Sequence, residues 1–265
     1  MSKPPLDQEL HEIVTFARGI ARSAGRIALA SYGHANPRVK YDESLVTEAD
    51  LAVQEHIRKE VQTQYPDHHF LGEEAPSRRG EGDCRYIWVV DPVDGTAAFS
   101  RGYPIWGVSI AVLRDDKPVV GVFFMPATSE MYSGLAGSLS LHDDSPIEAR
   151  VDETLDNESL LLTYSRFHND YTTSFPGKVR SLGSTAAHIC YVARGAAWGA
   201  VLNNVHIWDV TAAQVILEAA GGEILDLDGN PFDPAEYLES TRIDRPLLAA
   251  AKGQHQAIRE YLDPR

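Results

Sequence analysis

The residues best suited to chemistry stand together in Asp91-Pro92-Val93-Asp94-Gly95-Thr96, directly after the apolar run Trp88-Val89-Val90. Two carboxylates three residues apart at a strand end can face one hard cation, and the Val93 carbonyl between them can supply a third oxygen. Magnesium takes a few such oxygens and keeps several waters. Gly95 permits a tight turn and Thr96 opens a helical stretch, whose first N–H groups would face an anion such as phosphate. Asp-Pro and Asp-Gly are also ordinary turn formers, and Asp-Gly between apolar runs signals a hairpin. Convergence of further acidic residues on this point decides between the two readings.

The elements that must position these residues follow from apolar spacing. Helical periodicity runs through residues 7–32 (Ile13, Phe16, Ala17, Ile20, Ala24, Ile27, Ala28), after Pro4-Pro5. A short strand at 38–41 carries Lys40. Thr47 and Asp50 have the spacing of a capping box at the start of a second helix to about residue 65. A carboxylate at a helix start can also face a site. Residues 69–74 read as a strand ending in Glu73-Glu74, followed by a charged loop with Arg78, Arg79 and Glu81 between glycines. The central strand begins at Tyr86. A short helical turn at 97–99 precedes a hairpin of 108–113 with 119–124, then short strands at 131–132 and 139–141.

The acidic, irregular stretch 142–157 divides the chain into a 1–142 half with most of the acidic site and a 158–265 half completing it. In the second half, strands at 160–164, 200–202, 223–227 and 247–251 alternate with helices. One helix opens at Gly183-Ser184-Thr185 and runs to Ala193. A second spans 210–220 behind Trp208-Asp209, with Gly221-Gly222 as its stop. A last helix covers 254–262. Asp209 reads either as the N-cap of its helix or as a site carboxylate. The alternation indicates α/β layers.

The chain has 265 residues, of which 43% are hydrophobic and 23% charged, the composition of a globular protein with a substantial core. Its formal charge of −14 argues against a nucleic-acid polymer as partner. It does not exclude a small anionic substrate, because bound divalent cations reverse the local field. Two cysteines, Cys84 and Cys190, are too few for a disulfide framework or a thiolate metal site. The N-terminus has no signal-peptide pattern and no apolar run is long enough for a membrane span, so a cytoplasmic enzyme without a membrane partner is expected. His68, His69, His188 and His206 lack metal-ligand spacing. Ser109 and Ser184 lack a His/Asp partner pattern, and no G-x-G-x-x-G follows a strand.

Leu71-Gly72-Glu73-Glu74, Asp91-Pro92-Val93-Asp94-Gly95-Thr96 and Trp208-Asp209-Val210, in that order, resemble the blocks of the inositol monophosphatase family. Val46-Thr47-Glu48-Ala49-Asp50 and Arg180-Ser181-Leu182-Gly183-Ser184 resemble two further segments of it. The resemblance runs nearly the whole chain. It implies the α-β-α-β-α five-layer sandwich shared with fructose bisphosphatases, and a magnesium-dependent, lithium-sensitive phosphomonoesterase. By that resemblance Glu73, Asp91 and the Val93 carbonyl would hold one Mg2+. Asp91, Asp94 and Asp209 would hold a second, and a third would sit near Glu73. Thr96 with Asp50 would orient the attacking water, Gly95 and Thr96 would bind phosphate, and a homodimer is expected.

Two departures bear on the substrate. The family's inositol-contacting glutamate position is Leu202 here, and Ala97-Ala98 follow Thr96 where the family often has Thr-Asn. Ser184, Arg194, Asn203 and Asn204 are the remaining candidates for substrate contact. Inositol monophosphate leads, with fructose 1,6-bisphosphate, histidinol phosphate and a nucleotide 3′-phosphate as competitors. From a different class, a catalytically silent metal- or phosphometabolite-binding protein is the alternative.

Overall fold

The computed structural model describes residues 5–40, 45–74, 84–150 and 155–265, and side chains from residue 8 onward. The charged loop with Arg78, Arg79 and Glu81, Tyr41 and part of the 142–157 stretch lie outside the described residues. Two sheets organise the chain. The larger has seven strands: His69–Gly72, Tyr86–Asp94, Gly107–Arg114, Lys117–Met125, Glu130–Leu135, Ser140–His142 and Ser145–Pro146, adjacent in that order. The smaller has five, in the order Lys178–Arg180, Leu160–Thr163, Gly199–Leu202, Leu247–Ala251, Gly222–Asp226.

Both faces of the large sheet are covered, which explains its near-continuous apolar strands. Along the central strand Tyr86, Trp88 and Val90 face the Pro5–Leu29 and Glu48–Gln64 helices, and Ile87 and Val89 face the interior. That alternation is the two-residue period of a strand. The interior layer is the packed pair Thr185–Ala193 and Ile207–Ala219, sandwiched between the two sheets. The far face of the five-stranded sheet is covered by Phe167, Tyr171, Ile258 and Leu262. The layers are therefore helix, sheet, helix, sheet, helix, and one core cluster draws on residues from Leu71 to Ala249.

The Ile207–Ala219 helix lies hard against the large sheet. A Cβ added at Gly121 would stand 2.1 Å from the Ala212 carbonyl oxygen, so only glycine permits this approach. Three elements differ from the sequence reading. The helix expected from 210 starts at Ile207, three residues earlier. The last helix is only His255–Arg259, and the chain then forms the strand Leu262–Pro264, paired with Tyr171–Thr173. The 142–157 stretch still contributes Ser145–Pro146 to the large sheet, and Ala149 N–H donates to Ala220 O at 2.8 Å.

Candidate active site

Asp91 and Asp94 end the central strand. In a regular strand, residues three apart point to opposite faces. Here the pairing steps from Asp91 opposite Ser109 to Asp94 opposite Gly107, so three steps on one strand match two on the other. This is a β-bulge, and it accommodates Pro92, which cannot donate to a central ladder. Both carboxylates consequently line one cavity of about 950 Å³. The turn is closed by Val93 N–H donating to Asp91 Oδ1 at 2.9 Å. Gly95 follows at φ +90°, and a Cβ there would meet the Gly183 carbonyl oxygen at 2.8 Å.

Asp94 reaches into the second half of the chain. It accepts from Ala186 N at 2.8 Å, from Thr185 N at 3.1 Å and from the Ser184 hydroxyl. It thereby caps the Thr185–Ala193 helix, where negative charge is favoured. Burial pushes its carboxyl up to about 6, and these hydrogen bonds hold it lower than burial alone would. Asp209 enters from the first turn of the Ile207–Ala219 helix, and its Oδ2 accepts from His206 N at 2.7 Å. It sits inside the turn rather than at the cap, and faces the cavity. Burial, then the neighbouring carboxylates, raise Asp91 and Asp209 well above the usual range.

Asp50 stands behind this group. Its Oδ2 accepts from Thr47 N at 2.8 Å and from the Thr47 hydroxyl, completing the expected capping box. Its Oδ1 faces Thr96 Oγ1 at 3.1 Å, and that hydroxyl is also 3.0 Å from the Val93 carbonyl. The same carboxylate thus serves helix and site, and burial raises its pKa. Glu73 lines the cavity beside it. The Lys40 ammonium lies 2.5 Å from both Glu73 Oε1 and Glu74 Oε1. Burial opposes that charge, but the two glutamates more than offset it and raise the Lys40 pKa. Gln54 fixes the segment by accepting Glu74 N–H at 2.8 Å.

The cavity extends well beyond the acidic group. Its far wall carries Tyr164, Arg166, Asn169, Asp170, Asn203 and Arg242. Asn204 also lines it, at φ +57°, and accepts from Arg242 Nη2 at 2.8 Å. Trp208 is there too, its ring stacked on His206 at 4.7 Å. Arg194 is not in the site. It lies over the Tyr191 ring at 4.4 Å and pairs with Glu130 at 3.1 Å, so its role is structural. Ser184 lines a smaller adjoining cavity and its hydroxyl is committed to Asp94, which makes it a positioning residue. Leu202 is buried in the core. The sequence reading missed Asp170, Tyr164, Arg166 and Arg242, which carry no motif, and noted Lys40 only as a charge.

The profile of the inositol monophosphatase family matches residues 9–261. The chain belongs to the inositol monophosphatase family. Inositol-1-monophosphatase ImpA of Mycolicibacterium smegmatis is 30% identical over 271 residues, covering 96% of this chain and 93% of its own. A fructose-1,6-bisphosphatase/inositol-1-monophosphatase of Aquifex aeolicus is 28% identical over 248 residues, covering 89% of this chain and 93% of its own. The solved inositol monophosphatase of Anabaena is 27% identical with a TM-score of 0.76, covering 95% of each chain. Family membership makes the chain a hydrolase of phosphoric monoesters, in a family that depends on metal.

The donors present fit such a metal in chemistry: they are oxygens only, clustered and largely buried, the set a hard cation takes. Like charges this close need a counter-cation. Among the described residues, no three Asp, Glu, His or Cys side chains already stand as a ligand set for one cation. Glu73 is turned to Lys40 instead. No described helix is long and apolar enough to cross a membrane.

Proposed function

We propose that the protein is a Mg2+-dependent phosphomonoesterase acting on a small phosphorylated metabolite through an activated water, with an inositol monophosphate the leading substrate. The observation that carries this reading is the gathering of Asp91, Asp94, Asp209 and Glu73 in one cavity, with the Thr96–Asp50 pair at its edge. Glu73, Asp91, the Val93 carbonyl, Asp94 and Asp209 would hold two or three Mg2+ ions. When bound, Mg2+ neutralises the phosphate and lowers the pKa of water.

The remaining work belongs to the chain. The Thr96 hydroxyl donates its proton toward Asp50 or the Val93 carbonyl, which leaves oxygen lone pairs to accept a hydrogen bond from water. Asp50, fixed by Thr47, holds that orientation. Gly95 and Thr96, at the turn into the Thr96–Ser100 helix, would receive the phosphate. Asp94 locks this strand end to the second half, so that Asp209 and Asp91 keep their relation. Most of the catalysis is then positioning and electrostatics.

The test is phosphate release from inositol 1-phosphate, fructose 1,6-bisphosphate, histidinol phosphate and adenosine 3′,5′-bisphosphate. Each is run with Mg2+, with EDTA, and with Mg2+ plus Li+. Mg2+-dependent release, lost with EDTA and reduced by Li+, supports the reading. Metal binding without release from any ester moves it to a silent, phosphometabolite-binding member. The Aquifex relative's name keeps fructose 1,6-bisphosphate among the competitors. A homodimer is the expected assembly, and a monomeric mass by analytical ultracentrifugation would refute it.

A further inference from the structure

Of the acidic residues lining the large cavity, Asp170 alone stands apart from the metal-type cluster of Glu73, Asp91, Asp94 and Asp209. It ends the short Phe167–Asp170 helix on the far wall. Two neutral donors hold it. Tyr164 OH donates to its Oδ2 at 2.5 Å, and Asn203 Nδ2 lies 3.4 Å from the same oxygen. Asn203 Nδ2 is also 3.5 Å from the Tyr164 oxygen, which ties the three together. Both donors use Oδ2, and among the described residues none donates to Oδ1. A carboxylate accepts about four hydrogen bonds. Asp170 therefore keeps acceptor capacity on the exposed wall of a cavity that would hold a substrate.

We propose that Asp170, oriented by Tyr164 and Asn203, is the specificity-determining residue that accepts hydrogen bonds from hydroxyls of the alcohol released from the phosphate. The inference rests on the phosphomonoesterase reading of the same cavity. An acceptor with no proton donor of its own facing the cavity selects for hydroxyl donors. Arg166 and Arg242 share the wall, and Arg242 is held by Asn204. Trp208 adds an apolar ring to the same cavity. A free acceptor oxygen beside an aromatic ring suits a neutral, hydroxyl-rich alcohol.

The experiment compares wild type with Asp170→Asn and Tyr164→Phe on inositol 1-phosphate, glycerol 2-phosphate and phenyl phosphate, with Mg2+ present. Asn keeps an acceptor for Tyr164, and melting curves check folding. For Asp170→Asn, kcat/KM on the polyol phosphates falls about tenfold further than on phenyl phosphate, the difference carried by KM. Tyr164→Phe shows a smaller loss in the same direction. Equal effects on all three esters overturn the inference. So does a preferred bisphosphate whose use is lost in Arg166→Gln or Arg242→Gln and kept in Asp170→Asn.

If wild type hydrolyses none of these esters and none of the fructose, histidinol and adenosine phosphates either, the phosphatase reading falls, and calorimetric binding of inositol 1-phosphate and phenyl phosphate with Ca2+ present tests Asp170 alone. Weaker binding of inositol 1-phosphate only, in Asp170→Asn, supports the assignment. Parallel changes, or none, overturn it.

Discussion

The Asp94 carboxylate accepts the backbone N–H of Ala186 at 2.8 Å, joining the end of the central strand to a helix 92 residues further along the chain. The contact makes Asp94 both a candidate metal ligand and a helix cap. In Asp94→Asn the amide oxygen retains one acceptor, so the fold persists while the charge is lost. Phosphate release then drops by at least about 100-fold. Circular dichroism should remain that of wild type, and a variant with full activity would refute the assignment.

Lys40 is the cation paired with both Glu73 and Glu74. Lys40→Gln leaves Glu73 and Glu74 facing each other without it, so the metal-free protein melts at a lower temperature. Added Mg2+ should raise the melting temperature of both proteins, since a ligand at 100 times its Kd adds about 2.7 kcal/mol. The rise is larger in Lys40→Gln, where no ammonium competes for Glu73. Scanning calorimetry with EDTA and with Mg2+ reads both effects.

Gly121→Ala puts a methyl group 2.1 Å from the Ala212 carbonyl oxygen. The neighbour is backbone and cannot rotate away, so the helix must move. Overpacking of this kind costs about 1–3 kcal/mol. The displaced helix carries Asp209, so activity should fall together with stability in urea titrations. Wild-type values for both would show that the helix sits further from the sheet.

His188 gives the protein an acid-sensitive point. Burial lowers its pKa to about 4, and its Nε2 accepts from Leu182 N at 2.9 Å. The unfolded chain protonates near pH 6.5, so the folded state binds fewer protons between those values. This contribution is complete above pH 6.5 and is lost as the pH falls through about 4, a change of about 3 kcal/mol. His188→Gln keeps the acceptor without the proton. The stability difference between the two proteins should therefore shrink or reverse over that window.

Much of this arrangement was readable from residue order. The apolar strand before Asp91 and the spacing of Thr47 and Asp50 pointed to their observed elements, because both patterns are local. The bulge at Pro92-Val93 was not readable, although two aspartates facing one cavity require it. Ladder pairing with Ser109 and Gly107 decides it. Arg194 could not be assigned from residue order, because a basic residue at a helix end looks the same whether it meets a substrate or Glu130. The Leu262–Pro264 strand was hidden for a similar reason: its partner, Tyr171–Thr173, is far away in sequence. Asp170 carries no motif, and only the fold sets it beside Tyr164 and Asn203.

The capping of the Thr185–Ala193 helix by Asp94 also constrains the order of synthesis. Asp50, Glu73, Asp91 and Asp94 leave the ribosome before the residues that cover them have been made. Until residues 184–209 follow, a strand end rich in negative charge has neither its helix N–H groups nor the Ile207–Ala219 helix that lies over its sheet. The site is complete only with both later helices in place, since Asp94 needs the Thr185–Ala193 N–H groups and Asp209 sits on Ile207–Ala219.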